Sequence, residues 1–173
     1  MVGEDLGTVE DEVRQKLAEH AVMPYRLLWF EKDPPRTFPR DSLAAVTTHD
    51  LPTIAGLWSG SDLKRQHDLH LKPNEKSTAE IRRRLISMAG VAKSAATDEA
   101  IAGAYRVLAG APSRLLTATL EDAAAVEERP NIPATQADQN PNWSLALPQP
   151  IEDLEKNELP KLIAAALRRS TAP

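Results

Sequence analysis

Leu43-Ala44-Ala45-Val46-Thr47-Thr48-His49-Asp50-Leu51-Pro52 is a short apolar run that ends in a turn carrying hydroxyls, an imidazole and a carboxylate. The run reads as a strand, and in parallel α/β architectures chemistry is placed where strands end, so Asp50 is a catalytic candidate. Gly3-Glu4-Asp5-Leu6-Gly7 offers a second acidic cluster about one β-α-β unit earlier. Between the two, Thr8-Val9-Glu10-Asp11 supplies a hydroxyl N-cap and first-turn acids, which predict a helix from about residue 9. Val13, Leu17 and Ala21 follow at helical spacing. Met23 to Phe30 reads as a buried strand. Pro34, Pro35 and Pro39 then mark a loop, because proline does not sit in a helix interior.

Downstream the alternation continues. Residues 62–71 are polar and read as helix, and residues 72–77 as loop. Ser77-Thr78-Ala79-Glu80 predicts a helix start, with Ile81, Leu85 and Met88 on one side. Thr97 to Leu108 is a further helix with Ile101, Ala104 and Leu108 facing inward, closed by Gly110-Ala111-Pro112. Ser113 to Leu120 is the next strand candidate and ends in Glu121-Asp122. Residues 127–150 are rich in Pro, Asn and Gln and read as irregular and poorly fixed. A single terminal helix over 151–169 closes the chain, with Leu159, Leu162, Ile163, Ala166 and Leu167 as its apolar stripe. Strand-then-helix order argues for parallel β-α units.

Composition sets the outer limits. The 173 residues are 42% apolar, enough for one ordinary core, and the net charge of −4 gives no electrostatic reason to expect nucleic acid. Cysteine is absent, which excludes disulfides, thiolate metal sites and thiol catalysis. No apolar run approaches the ~18 residues of a membrane span, and no signal peptide opens the chain, so a soluble cytoplasmic domain is the default. Fourteen prolines against seven glycines imply many defined turns.

Gly3-Glu4-Asp5-Leu6-Gly7, Leu28-Trp29-Phe30-Glu31, Thr48-His49-Asp50-Leu51-Pro52-Thr53, Asn131-Ile132-Pro133-Ala134-Thr135 and Pro141-Asn142-Trp143 stand in that order, and with them the chain resembles the amylomaltase family. These are 4-α-glucanotransferases, or disproportionating enzymes, of the α-amylase clan. The resemblance implies a retaining transglycosylase on a (β/α)8 barrel that moves α-1,4-glucan segments between maltooligosaccharides. It implies Glu4 as general acid/base and Asp50 as the carboxylate that steadies the transition state. His49, Asn131 and Pro133 would contact the sugar. It implies no cofactor and no metal. Retaining exchange needs one carboxyl to protonate the leaving oxygen and another, about 5 Å away, to attack the anomeric carbon. Glu4 suits the first task if burial keeps it protonated.

The family's nucleophile is an aspartate in an Arg-x-Asp-His-like motif, and this sequence has none. Asp5 is a poor substitute, since adjacent strand residues face opposite ways. Ala134 stands where the family usually has glycine, and Arg129 where glutamine is common. A full barrel needs about 250 residues. The expected fold class is therefore α/β, the carboxyl-terminal portion of a (β/α)8 barrel, incomplete and helix-rich, with residues 1–173 as a single partial catalytic domain. Met1 is read as an introduced start. The expected partners are the missing amino-terminal half of the barrel and further copies meeting through exposed edges, and the chain alone should be inactive.

Duller readings compete. Glu4 and Asp5 suit a helix start electrostatically, and an isolated His-Asp pair is usually a buried histidine with its partner. His67 and His70 lack a third ligand and read as a solvated helix face. Trp29 reads as wall, Trp143 as a sugar platform, and Trp58 as either platform or core. Arg82-Arg83-Arg84 reads as a wet face. Two other functional readings stay open: a non-catalytic module that binds α-glucan or serves as a structural half, and a complete small enzyme using Glu4, Asp50 and a carboxylate such as Asp122.

Overall fold

In the computed structural model, residues 1–7 and 9–168 are described, so the N-cap expected at Thr8 lies outside them, as does Arg169. Four strands, β1 (Val2–Gly3), β2 (Met23–Leu27), β3 (Leu43–Ala45) and β4 (Leu115–Leu116), form one sheet in the order β1-β2-β3-β4. Every neighbouring pair is parallel, with Val2 opposite Met23, Leu27 opposite Ala45, and Leu43 opposite Leu115. Strand order that follows chain order, with a crossover between each pair, is how a sheet winds in one direction. The expected α/β class with a parallel sheet holds.

α1 (Asp11–Glu19) connects β1 to β2, and a single 3-10 turn, Pro35–Thr37, lies between β2 and β3. Four helices connect β3 to β4: α2 (Ile54–Ser59), α3 (Ser61–Asp68), α4 (Glu75–Ala89) and α5 (Thr97–Ala109). After β4 come α6 (Leu120–Ala123), α7 (Ile151–Leu154) and α8 (Glu158–Leu167). The core sits between β2–β3 and the layer formed by α2, α4, α5 and α8. Ala100, Ile101, Ala104, Tyr105 and Leu108 are all buried, a spacing that turns one face of α5 inward. Trp29 and Trp58 both belong to this core. The Trp29 indole donates to the Pro52 carbonyl at 3.0 Å, tying the end of β2 to the turn after β3. Trp58 donates to the Ala95 carbonyl at 2.8 Å and lies under the Arg82 guanidinium, 4.5 Å from the ring centre. The core reading of Trp58 is the right one.

Several elements differ from expectation, each for a local reason. β2 stops at Leu27, although Leu28 and Trp29 still donate to the Ala45 and Val46 carbonyls before the chain turns at Phe30. α2 begins where Thr53, after Pro52, accepts from the Gly56 amide at 3.0 Å. Gly56 must lack a side chain, because a Cβ there would meet the Glu127 carbonyl oxygen. α4 starts two residues before the expected Ser77, since Asn74 accepts from the Ser77 amide at 3.0 Å and acts as the cap. The expected strand over 113–120 is only two residues long, and Thr119 caps α6 instead.

The terminal helix expected over 151–169 is two helices, α7 and α8. A continuous helix would require the amide that Pro160 lacks and would push its ring against the carbonyl four residues earlier. Restarting at Glu158 places Pro160 in the first turn, where neither problem arises. Leu159 and Ile163 are buried, but Leu162 is 44% exposed and leaves the expected stripe.

Candidate active site

The parallel sheet brings its strand ends to one cavity of about 560 Å³. Glu4 enters it just after β1, Tyr25 from β2, Thr47, Thr48 and His49 from the turn after β3, and Thr119 and Glu121 after β4. The late segment adds Glu128, Pro130 and Trp143. Glu4 and His49, named from sequence, thus share one wall system. Glu4 is exposed, so the burial expected of a proton donor is not supplied by the described residues. Burial raises the Tyr25 phenol above its ordinary value; a hydrogen bond with Thr117 opposes the shift and the Glu4 charge adds to it.

Asp5 points the other way, as alternation requires. It is buried, accepts from the Tyr25 amide at 2.8 Å and from Arg26 at 3.3 Å, and has Arg14 at 3.5 Å. It is an anchor between β1 and β2.

Asp50 does not line the cavity itself. One of its carboxylate oxygens lies 3.4 Å from His49 Nε2 and accepts from the Asn131 side-chain amide at 2.7 Å. The Asn131 backbone amide donates to the His49 carbonyl at 3.1 Å. The side chains of His49 and Asp50 are 45% and 43% exposed, so the buried-pair reading fails. The Trp143 ring centre is 4.8 Å from that of His49 at a 50° tilt, with Trp143 itself 65% exposed. An exposed indole beside an imidazole and two hydroxyls offers a face for a sugar ring and polar atoms for its rim.

Pro133 is exposed and away from the cavity wall. It begins a turn in which Thr135 donates back to the Ile132 carbonyl and Ala134 takes φ +65°. Proline at the first central position and a left-handed second one is type II turn chemistry, which explains Pro133 without a ligand. The 127–150 segment has no regular element, yet it is not loose. Asn142 accepts from the Ile132 amide at 3.0 Å and donates to Thr135 at 2.8 Å, Asn140 accepts from Arg65 at 2.9 Å, and Trp143 donates to the Pro130 carbonyl at 2.8 Å.

Asp122 is also not where a third catalytic carboxylate would be. It is fully buried, accepts from the Ile54 amide at 2.9 Å and the Tyr105 hydroxyl at 2.8 Å, and burial raises its pKa. Its neighbour Glu121 faces the cavity instead. His67 pairs with Glu75 at 2.9 Å, and among the described residues no cluster of three candidate metal ligands occurs. Among the described residues, no helix is long and apolar enough to cross a membrane.

The parallel α/β scaffold thus gathers carboxylates, an imidazole and an exposed indole at its strand ends. The chain belongs to the 4-alpha-glucanotransferase family, whose model matches residues 1–151. It is 32% identical to the 4-alpha-glucanotransferase of Mycobacterium tuberculosis, covering 99% of this chain and 27% of that protein. It is 30% identical to that of Haemophilus influenzae, covering 91% and 26%. The crystal structure of amylomaltase from Corynebacterium glutamicum superposes with a TM-score of 0.83 at 28% identity, covering 98% of this chain and 29% of that one. The chain therefore spans about a quarter of the length of the curated relatives it matches.

Proposed function

We propose that this chain carries the acid/base side of a 4-α-glucanotransferase site and acts on maltooligosaccharides by a retaining double displacement. The observation that carries this reading is the shared cavity of Glu4, His49 and Trp143, with Asp50 braced beside it by Asn131. In the first half-reaction Glu4 would give its proton to the leaving glycosidic oxygen while a nucleophilic carboxylate bonds to the anomeric carbon. In the second, Glu4 would take the proton of an acceptor hydroxyl as that oxygen attacks the same carbon and the carboxylate departs. Asp50 and His49 would hold ring hydroxyls and offset positive charge on the oxocarbenium-like ring.

The nucleophile is not among the residues we can name, since the family's Arg-x-Asp-His-like motif is absent from this sequence. We read residues 1–173 as the carboxyl-terminal portion of a (β/α)8 barrel, a single partial catalytic domain acting in the cytoplasm. The exposure of Glu4 supports the same view: a partner segment would bury it and supply the nucleophile. The test is maltotriose disproportionation. The chain alone is expected to release no glucose, and mixing it with the front half of a relative's barrel is expected to restore transfer. Glu4→Gln in that mixture should lower transfer by about 10²-fold or more. Turnover by the chain alone, or full activity of Glu4→Gln in the mixture, would end this reading. If maltotriose binds without turnover in any mixture, a non-catalytic α-glucan module is the reading that remains, and the preformed cavity supports it.

A further inference from the structure

We infer that the buried Arg129–Asp62 pair is a positioning device for the His49–Asp50 turn, an inference that rests on the role proposed for Asp50. Residues 127–131 run beside that turn with a two-residue alternation. The Glu127 carbonyl accepts from Thr53 at 3.1 Å, Arg129 Nη1 donates to the Asp50 carbonyl at 2.6 Å, and the Asn131 side chain donates to the Asp50 carboxylate at 2.7 Å. Glu128 and Pro130, the intervening residues, line the cavity. The same short segment therefore grips the catalytic turn with one side and forms cavity wall with the other.

Arg129 supplies the fixed point of this grip. Its Nε and Nη2 donate to the two oxygens of Asp62 at 2.7 and 2.6 Å, a fork-to-carboxylate arrangement that sets the guanidinium plane. Asp62 lies in the first turn of α3, where the helix dipole favours its charge, and Gln66 one turn on donates to it at 2.8 Å. With the plane fixed by a helix, the third donor has one direction available, and it meets the Asp50 carbonyl. Arg129 and Asp62 are only 7% and 5% exposed. A pair so thoroughly desolvated gives little net stability over apolar residues of similar volume, so stability alone does not account for it. Direction does.

That contrast supplies the test. Asp62→Leu/Arg129→Met replaces the pair by apolar volume and keeps the core filled, while Arg129→Lys keeps a charge for Asp62 but loses the planar fork. Amide hydrogen exchange is read at Asn131, whose backbone amide donates to the His49 carbonyl, and at Leu108 in α5; maltohexaose affinity is read by calorimetry. For a positioning role, both variants keep Leu108 within about threefold of the parent but exchange Asn131 at least about tenfold faster, and bind maltohexaose about tenfold more weakly. If the double variant is folded, with Asn131 exchange and affinity within about twofold of the parent, the pair is core packing and the inference fails. Should the double variant not fold, Arg129→Lys decides on the same readouts. If the parent itself does not bind maltohexaose, it is the proposed function that falls, and Asn131 exchange alone judges the positioning role.

Discussion

Asp122 shows how a carboxylate can look catalytic in sequence and be structural in the fold. It follows a strand end, beside an acid that does face the cavity, yet its own oxygens take the first amide of α2 and the hydroxyl of Tyr105. Burial raises its pKa above the ordinary 3.8 and holds Tyr105 well above its own usual value. The sign for stability follows from linkage. Below 3.8 the group is protonated folded or unfolded. As pH rises past that value the unfolded chain releases this proton first, so stability falls until the folded carboxyl ionises too. Asp122→Asn removes this dependence at the cost of a weaker acceptor set, about 1–3 kcal/mol. The gap between parent and variant in urea unfolding should therefore move in the variant's favour as pH rises from 3.8. A gap that is flat or moves the other way contradicts the assignment. Glu4, His49 and Asp50 were legible because each sits just after an apolar run. Arg129 was legible only as an oddity: its carboxylate partner lies 67 positions away, and no local pattern announces such a pair.

Elements were legible where periodicity was long and caps were local. α5 was read almost to its ends because its apolar spacing repeats over three turns, whereas α2 and α6 are too short to display a period and are set by Thr53 and Thr119. The late segment was misjudged for a related reason. Its Asn and Gln residues look like loose loop, but Asn131 donates to Asp50 and Asn140 accepts from Arg65, which tie the segment to other parts of the chain, while Asn142 braces it from within by donating to Thr135. Two of its residues take left-handed backbone, Ala134 at φ +65° and Trp143 at φ +61°, and in the Ile132–Thr135 turn Ala134 carries a Cβ in a region that disfavours it by about 1–2 kcal/mol. Ala134→Gly relieves that strain and gives back part of the gain to the freer unfolded chain, about 0.4–1 kcal/mol. A net stabilisation of about 0.5 kcal/mol is expected in urea unfolding. A loss of stability in the variant would mean that the turn does not hold Ala134 in this conformation.

At the scale of the molecule, the sheet has two outer strands, β1 and β4, and among the described residues neither has a second neighbour. β4 carries Leu115 at 42% exposure, and α1 near the other edge leaves Val13 equally exposed. A parallel sheet normally has both edges finished by closure, cover or charge, because unpaired N–H and C=O groups recruit other strands. Arg114 sits beside Leu115, but its charge is taken up by Asp41 at 2.6 Å, so the β4 edge is less protected than its sequence implies. The purified chain is therefore expected to self-associate, and Leu115→Lys to shift it toward monomer by placing an unpaired charge on the edge. Sedimentation velocity over a wide concentration range reads both. The Leu115 side chain lies outside the buried core, so the substitution should leave the unfolding midpoint nearly unchanged, and a drop in association with an intact midpoint locates the contact at this edge. A parent that stays monomeric throughout would show that these strand ends are quiet despite lacking partners, and the two-edged picture of the sheet would have to be given up.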